Sequence, residues 1–394
     1  MLCLRPIALL TTLLSFCVFF TPHNAIARKT NEPFYQEPFD LAAGGASLTR
    51  ASRAGRIFSN PALMSYGGGF SLWIGSTTSI FVNDGICELA GSSCPVSADD
   101  GSAESESSDI LQLAFKKPFR LGLSQSFAMI FNHIGFSVFS RNEIDLNAKK
   151  VGPSGTPSVA FSMESYSGLQ VAAATRSPMR WLSLGGAVRG IIASEPELEL
   201  GLEVLDQLQG EGSQEFFQQQ MQERFTPVLG YGFDIGTLFF AQGRHVDYSL
   251  AVKVDDVGNT KLTPQSGLFG ATAESSPEEQ EPVENIKEFK QVVSSGLGFT
   301  LHTGMDQLHL SIDYRDLLDA YNDPLFKKIY IGAKATLRQY LGLAMGLHHG
   351  YSSAGVELNF LLVQISLITY ARELSDKPGL DPRRYYMLSF SMGG

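Results

Sequence analysis

Few side chains in this sequence have types and spacing suited to chemistry. His348 and His349 occupy neighbouring positions of a predicted strand, so their rings are expected on opposite faces, where they cannot chelate one metal together. His309 and Asp313 share a strand face, as a hydrolase would need, but no serine is marked out as the nucleophile. We therefore expect no enzyme activity, no cofactor and no metal site.

The cysteines are more informative about covalent structure. Cys87 and Cys94 lie close together in a polar loop. In an oxidising compartment, this spacing favours a small loop disulfide over a metal site.

The N-terminus indicates that compartment. Arg5 supplies a short positive region, residues 7–20 are apolar, and Ala25-Ile26-Ala27 offers small residues at the cleavage positions. This arrangement is typical of an export signal and is too short for a spanning helix. Residues 1–27 are therefore predicted to be a signal peptide.

The composition is unusual for a soluble domain. The 394 residues carry a formal net charge of -10, include 39 Gly and 27 Phe, and are only 18% charged, whereas charged residues usually make up about 25%. Beyond the signal, no apolar run reaches the roughly 20 residues of a spanning helix. A membrane protein without such helices must be a closed barrel, because closure satisfies the backbone hydrogen bonds of every strand. We expect no nucleic-acid partner.

Alternation with period two fills most of the mature chain. Residues 329–392 contain five consecutive runs in which apolar residues alternate with small or polar ones. The register of 119–140 changes face after Asn132, which we interpret as a bulge in preference to a tight turn. The total is about fourteen strands, and an even number suits a bacterial barrel. The strands before the five terminal runs are predicted at 69–81, 110–115, 119–140, 159–175, 181–192, 227–240, 246–255, 294–301 and 307–315.

The connections between these strands alternate in length. The short turns fall on one side of the sheet, while the other side receives the long polar segments 83–109, 141–157, 193–226, 256–293, 316–326 and 373–384. Outer-membrane barrels have this asymmetry, whereas a secreted β-sandwich has no reason for it. The sequence thus predicts an all-β, transmembrane antiparallel barrel over residues 69–394, in the outer membrane of a two-membrane bacterium.

A barrel this wide is not filled by its own small, inward side chains, so residues 28–68 are the candidate plug, or hatch. Arg50, Arg53 and Arg56, spaced three apart, predict a short helix with one basic face before Pro61. One hypothesis is that these arginines gate the lumen by pairing with inward carboxylates; the alternative is that they anchor a static plug. The candidate carboxylates are Asp234, Asp313 and Glu357.

The same segment resembles the hatch of the FadL-like (long-chain fatty-acid transporter) superfamily of outer-membrane barrels. The resemblance lies in a run of Gly and Ala followed by Asn60-Pro61-Ala62-Leu63, which is similar to the asparagine-proline-alanine motif of that family. Three later motifs, at 255–260, 312–316 and 381–386, are similar to the branch that contains PorV-type and conjugation-associated barrels. The resemblance implies a plugged barrel that admits hydrophobic molecules past the hatch or sideways through a gap in the wall.

One external loop has a pattern of its own. Between residues 202 and 224, apolar side chains at helical spacing predict an amphipathic helix over the mouth, which either lines a lipophilic pocket or packs on other loops. The pocket candidates are Phe216, Phe217 and Met221. Two functions remain open: passive transport of hydrophobic small molecules, and a structural adaptor that anchors a surface or secretion complex. In either case the expected partners of the monomer are outer-membrane lipid and the barrel insertion machinery.

Overall fold

The structure is a computed structural model. It describes residues 33–52, 54–65, 72–83, 119–151, 156–178, 181–194, 197–201, 227–264, 288–304, 306–360, 362–373, 379 and 382–393. Among these residues no helix combines the length and the apolar character needed to cross a membrane.

Strands dominate the described chain. They are β1 (Leu72–Asn83), β2 (Phe119–Phe131), β3 (Ile134–Val151), β4 (Thr156–Arg176), β5 (Leu182–Ser194), β6 (Glu197–Gly201), β7 (Val228–Gln242), β8 (Val246–Asp255), β9 (Thr260–Pro264), β10 (Glu288–Phe289), β11 (Val292–Thr303), β12 (Asp306–Tyr314), β13 (Ile329–Leu337), β14 (Leu341–His348), β15 (Tyr351–Phe360), β16 (Val363–Glu373) and β17 (Pro382–Gly393). The helices are short: α1 (Pro38–Ala42), α2 (Gly55–Ser59), a 3-10 helix (Pro61–Ser65) and α3 (Leu325–Lys328).

The sheet closes on itself. β1 pairs with β17 on one side and with β2 on the other, and every pairing is antiparallel. β6, β9 and β10 are short pieces that extend the wall beyond β5, β8 and β11. Within the described residues the wall is therefore a closed barrel of 14 strands, which confirms the predicted fold class.

Side chains along each strand alternate between the outside and the lumen. In β1 the large apolar residues Leu72, Ile74 and Ile80 are exposed, while Thr77 and Ser79 are buried. The outer wall is thus apolar and the inner wall small and polar. This is the reverse of a soluble protein, and it suits a barrel whose outer surface is covered by lipid.

Two details of the strand assignment differ from the sequence prediction, and a third prediction falls outside the described residues. Asn132 has φ 53 and, with His133, forms a tight turn, so 119–140 is part of two strands and the predicted bulge is wrong. Asparagine adopts this left-handed conformation more readily than most residues do. Residues 141–157 were expected to form a loop, but β3 and β4 remain paired as far as Val151 and Thr156. The predicted strand at 110–115 lies outside the described residues, and β1 bonds directly to β2.

The two ends of the barrel differ. One, the short-turn end, carries the connections 132–133, 177–181, 243–245, 304–305, 338–340 and 361–362. The opposite, long-connection end carries the links that follow β1, β5, β8 and β12, although His349 and Gly350 form a short turn there as well.

Residues 33–65, of which 53 is not described, form the N-terminal segment. Its side chains and backbone hydrogen-bond to residues of β2, β4, β5, β7, β8, β11, β12, β13 and β15. These strands lie all around the barrel, so the inner wall surrounds the segment.

Candidate functional site

Asn60 connects the N-terminal segment to the wall. It is completely buried; its Oδ1 accepts a hydrogen bond from the Ala62 amide at 3.0 Å, and its Nδ2 donates to the carbonyls of Leu48 at 3.1 Å and Thr237 at 3.3 Å. The asparagine-proline-alanine motif therefore begins the 3-10 helix and joins it both to an earlier turn of the segment and to β7.

The wall leaves room for this motif through two glycines. A Cβ atom at Gly236 would overlap the Asn60 side chain, and one at Gly185 would overlap the backbone of Pro61 and Ala62. Next to Gly185, the hydroxyl of Ser183 donates to the Ala62 carbonyl at 2.7 Å. The close approach of the two backbones is possible only because neither wall position has a side chain.

Asp313 on β12 is another anchor. Its Oδ2 accepts hydrogen bonds from the amides of Ser47 at 2.7 Å and Leu48 at 2.9 Å. The sequence placed Asp313 correctly on the inner wall. Its partners in the segment, however, are backbone amides and not an arginine side chain.

The main ion pair between segment and wall has the opposite polarity to the one we expected. Asp40 of α1 is fully buried and contacts the ammonium group of Lys334 on β13. The Ser52 hydroxyl donates to the same carboxylate at 2.6 Å. The sequence signal for this pair was Lys334 itself, the one cation on the inward face of β13, with Gly332 and Thr336 beside it on that face; nothing in the sequence pointed to Asp40.

The three predicted basic residues have different positions. Arg50 contacts Thr300, at 3.3 Å, and Gln307, so its described partners are neutral. Arg56 lies half-buried in α2, and Arg53 is outside the described residues.

The other two predicted carboxylates bond within the wall. Asp234 pairs with Arg189 at 2.9 Å, and the same guanidinium reaches Asp256 at 2.6 Å. Glu357 accepts a hydrogen bond from Ser366 at 3.2 Å. In these contacts Asp234 and Glu357 each have a partner on a neighbouring strand, and Arg50 is not among their partners.

The sequence analysis missed a second cluster of charges, near the long-connection end of the lumen. Arg120 of β2 lies between Glu143, at 3.2 Å, and Asp145, at 3.4 Å, on β3. Arg383 of β17 also reaches Asp145, at 3.0 Å. The Arg120 pairs join the neighbouring strands β2 and β3, whereas the Arg383–Asp145 pair reaches from β17 to β3 across β1 and β2 and so reinforces barrel closure from the inside.

The histidine pair was predicted wrongly. His348 and His349 are both buried, and their ring centroids are 4.5 Å apart. His349 has φ 51 and belongs to the turn after β14, so the strand alternation that would separate the rings ends before it. Both rings also contact the ring of Tyr330. Within the described residues, no group of three or more His, Cys, Asp or Glu is arranged to hold a metal ion.

Two groups of contacting aromatic rings extend from the long-connection end into the lumen, and the neighbouring residues Phe34 and Tyr35 connect them along the chain. Phe289 of β10 contacts Phe34, with ring centroids 4.7 Å apart. Further in, Tyr35 contacts Phe58 at 4.6 Å, and Phe58 contacts Phe139 of the wall at 5.5 Å. A cavity of about 30 Å³ adjoins these rings, and Arg189, Lys253 and Arg315 also line it.

Glu37 is the titratable group of the N-terminal segment that stands out. Burial, followed by the nearby negative charge of Asp40, raises the pKa of Glu37 to about 8; the charge of Glu357 adds to this, while a hydrogen bond from Tyr35 and the charge of Lys334 oppose it. When the segment leaves the wall and meets water, the pKa of this carboxyl returns to about 4.5.

This difference predicts a pH-dependent attachment of the segment. Above about pH 4.5 the detached segment loses the Glu37 proton while the attached segment keeps it, so attachment weakens as the pH rises towards 8 and changes little beyond. We expect dye leakage through the barrel in liposomes to increase between about pH 5 and pH 8, and Glu37→Gln to flatten this rise. A wild-type leakage rate that is the same at both pH values would contradict the prediction.

The remaining candidates lie outside the described residues. They are Cys87 and Cys94 of the predicted disulfide and Phe216, Phe217 and Met221 of the predicted loop pocket.

No family model matches the sequence, and no curated protein does. Solved structures do resemble it. The toluene transporter TodX of P. putida has a TM-score of 0.42 at 11% identity, covering 91% of this chain and 97% of its own. A TodX deltaS2S3 mutant, described as a monoaromatic hydrocarbon channel, has a TM-score of 0.47 at 11% identity, with 92% and 99% covered. The toluene transporter TbuX of Ralstonia pickettii has a TM-score of 0.38 at 8% identity, with 90% and 97% covered. Each similarity extends over nearly the whole of both chains.

Proposed function

We propose that the protein is an outer-membrane barrel through which hydrophobic small molecules pass without an energy source. In this proposal residues 1–27 direct export, residues 28–68 form the hatch, and residues 69–394 form a monomeric barrel. The apolar outer wall supports the membrane location. No chemical reaction is involved.

One observation supports the choice of substrate class: the two groups of aromatic rings, Phe289 with Phe34 and Tyr35 with Phe58 and Phe139. Rings offer apolar contact to a molecule that has left water, and the second group lies further into the lumen than the first. The adjoining cavity, about 30 Å³, is smaller than such a molecule. Passage therefore requires the first residues of the N-terminal segment to move aside.

Uptake by cells tests this proposal. Cells that export the protein should take up the hydrophobic dye phenylnaphthylamine faster than matched cells without it, while uptake of a hydrophilic dye of similar size stays unchanged. Phe139→Ser should slow uptake of the hydrophobic dye by about fivefold, because each aromatic contact contributes about 1 kcal/mol. Phe139→Leu, which keeps an apolar surface, is the matched control and should change uptake little.

The adaptor function has one observation in its favour. Two interior cavities bounded by described residues of the wall and the N-terminal segment measure only about 30 and 20 Å³, so the wall and the segment pack closely at these places. If the exported barrel leaves hydrophobic uptake unchanged, this close packing is permanent. The external connections would then be the functional surface, and chemical crosslinking on intact cells should identify a protein partner.

A further inference from the structure

The outer wall carries an aromatic groove near the short-turn end. Its volume is about 340 Å³, and side chains of β7, β8 and β11 line it together with Trp181, which precedes β5. Trp181 stacks on Phe239 with centroids 5.8 Å apart and an interplanar angle of 19°. Tyr248 meets Phe299 edge to face at 5.6 Å.

The floor and sides of this groove are apolar. Leu250 and Leu297 line it along with the two ring pairs, and they face outward in register with Phe239. Trp181 and Tyr248 remain 44% and 53% exposed. Tryptophan and tyrosine at the end of a barrel wall typically lie at the level of the lipid headgroups, whereas leucine lies at the level of the acyl chains.

A cation follows the groove closely in the chain. Arg244 is exposed in the turn 243–245 between β7 and β8, three residues after Ala241, which lines the groove and pairs with Tyr248. A guanidinium near the membrane surface attracts the phosphate group of a lipid and can bind two of its oxygens. The charge and the groove therefore match the two ends of one amphipathic molecule.

We propose that this groove is a binding site for one membrane phospholipid, with an acyl chain between the ring pairs and the phosphate next to Arg244. The inference depends on the proposed membrane location but not on what passes through the lumen. A phospholipid suits the site better than a second copy of the chain, because a wall that faces the bilayer is in contact with acyl chains at every moment.

The test uses the full mature chain in lipid nanodiscs that contain phosphatidylglycerol. After mild delipidation in detergent, native mass spectrometry should show one retained phospholipid per chain. Leu250→Trp fills the groove while keeping the wall apolar, so retention should fall at least tenfold. Arg244→Gln should lower retention by about fivefold, since one cation near a membrane surface contributes about 1 kcal/mol. Leu343→Trp, at an exposed position on β14, three strands along the wall from β11, is the matched control.

The alternatives give distinct results. Equal retention by wild type and Leu250→Trp would overturn the lipid site, and so would a mass of two chains without lipid, which would show that a second copy covers the groove. If the barrel enters nanodiscs but retains no lipid, the site alone is wrong. If it does not enter them at all, the proposed membrane location is wrong as well.

Discussion

Replacement of Gly236 by valine is expected to open the lumen. The new side chain would occupy the space of the Asn60 carboxamide and press on the ring of Pro61. Asn60 would then lose its hydrogen bonds to Ala62, Leu48 and Thr237. At about 1 kcal/mol each, three lost hydrogen bonds correspond to roughly a hundredfold rise in the fraction of barrels with a detached segment.

The rate at which a small hydrophilic dye enters liposomes that contain the barrel measures this opening. Gly186→Val is the matched control: it makes the same change on β5, but the nearest atom to its new Cβ is 3.7 Å away, on Phe233. Equal leakage through the two variants would show that the contact with Asn60 does not hold the segment in the lumen.

Lys334→Met is expected to detach α1 from the wall. If α1 remained on the wall, Asp40 would be fully buried without the ammonium group that now balances its charge. Removing one partner of a buried ion pair typically costs about 3–5 kcal/mol, because the remaining charge has lost both water and its counterion. Hydrogen exchange of the backbone amides in 38–46 should therefore become much faster, while exchange in β13 changes little.

The double variant Asp40→Asn with Lys334→Met distinguishes the effect of the unbalanced charge from the effect of the lost lysine packing. Without the carboxylate there is no uncompensated charge to bury, so protection of 38–46 should return most of the way to that of the wild type. If the double variant exchanges as fast as Lys334→Met alone, the ion pair is not what holds α1.

The sequence predicts the barrel well because alternation is a property of each strand by itself. The run of residues in 329–392 shows which side chains face lipid, and the structure agrees. Prediction fails where the backbone leaves this pattern. At Asn132 a turn and a bulge produce the same change of face, and the antiparallel pairing of Phe131 with Ile134 is what identifies the turn. β3 and β4 pair as far as Val151, but charged and amide residues outnumber apolar ones in 141–151, so the sequence of this stretch resembles that of a loop.

The contacts of the candidate site are harder to predict from the sequence, because they depend on how deep in the lumen each residue of the N-terminal segment lies. Alternation places Lys334 and Asp313 on the inner wall, but it does not indicate which residue of the N-terminal segment lies at the same height. Asp40 and Lys334 are 294 positions apart. Asn60 was identified only through its motif, and even that motif did not reveal the carbonyl of Thr237 as its partner.

The distribution of these contacts along the chain determines the order of assembly. The N-terminal segment is made first, yet the Ala42 carbonyl accepts its hydrogen bond from Ser353, 311 positions later. Contacts between residues so far apart in sequence form slowly and late, after the intervening chain has been ordered. The segment therefore cannot complete its contacts before β15 is in place, so we expect it to be seated as the barrel closes or afterwards.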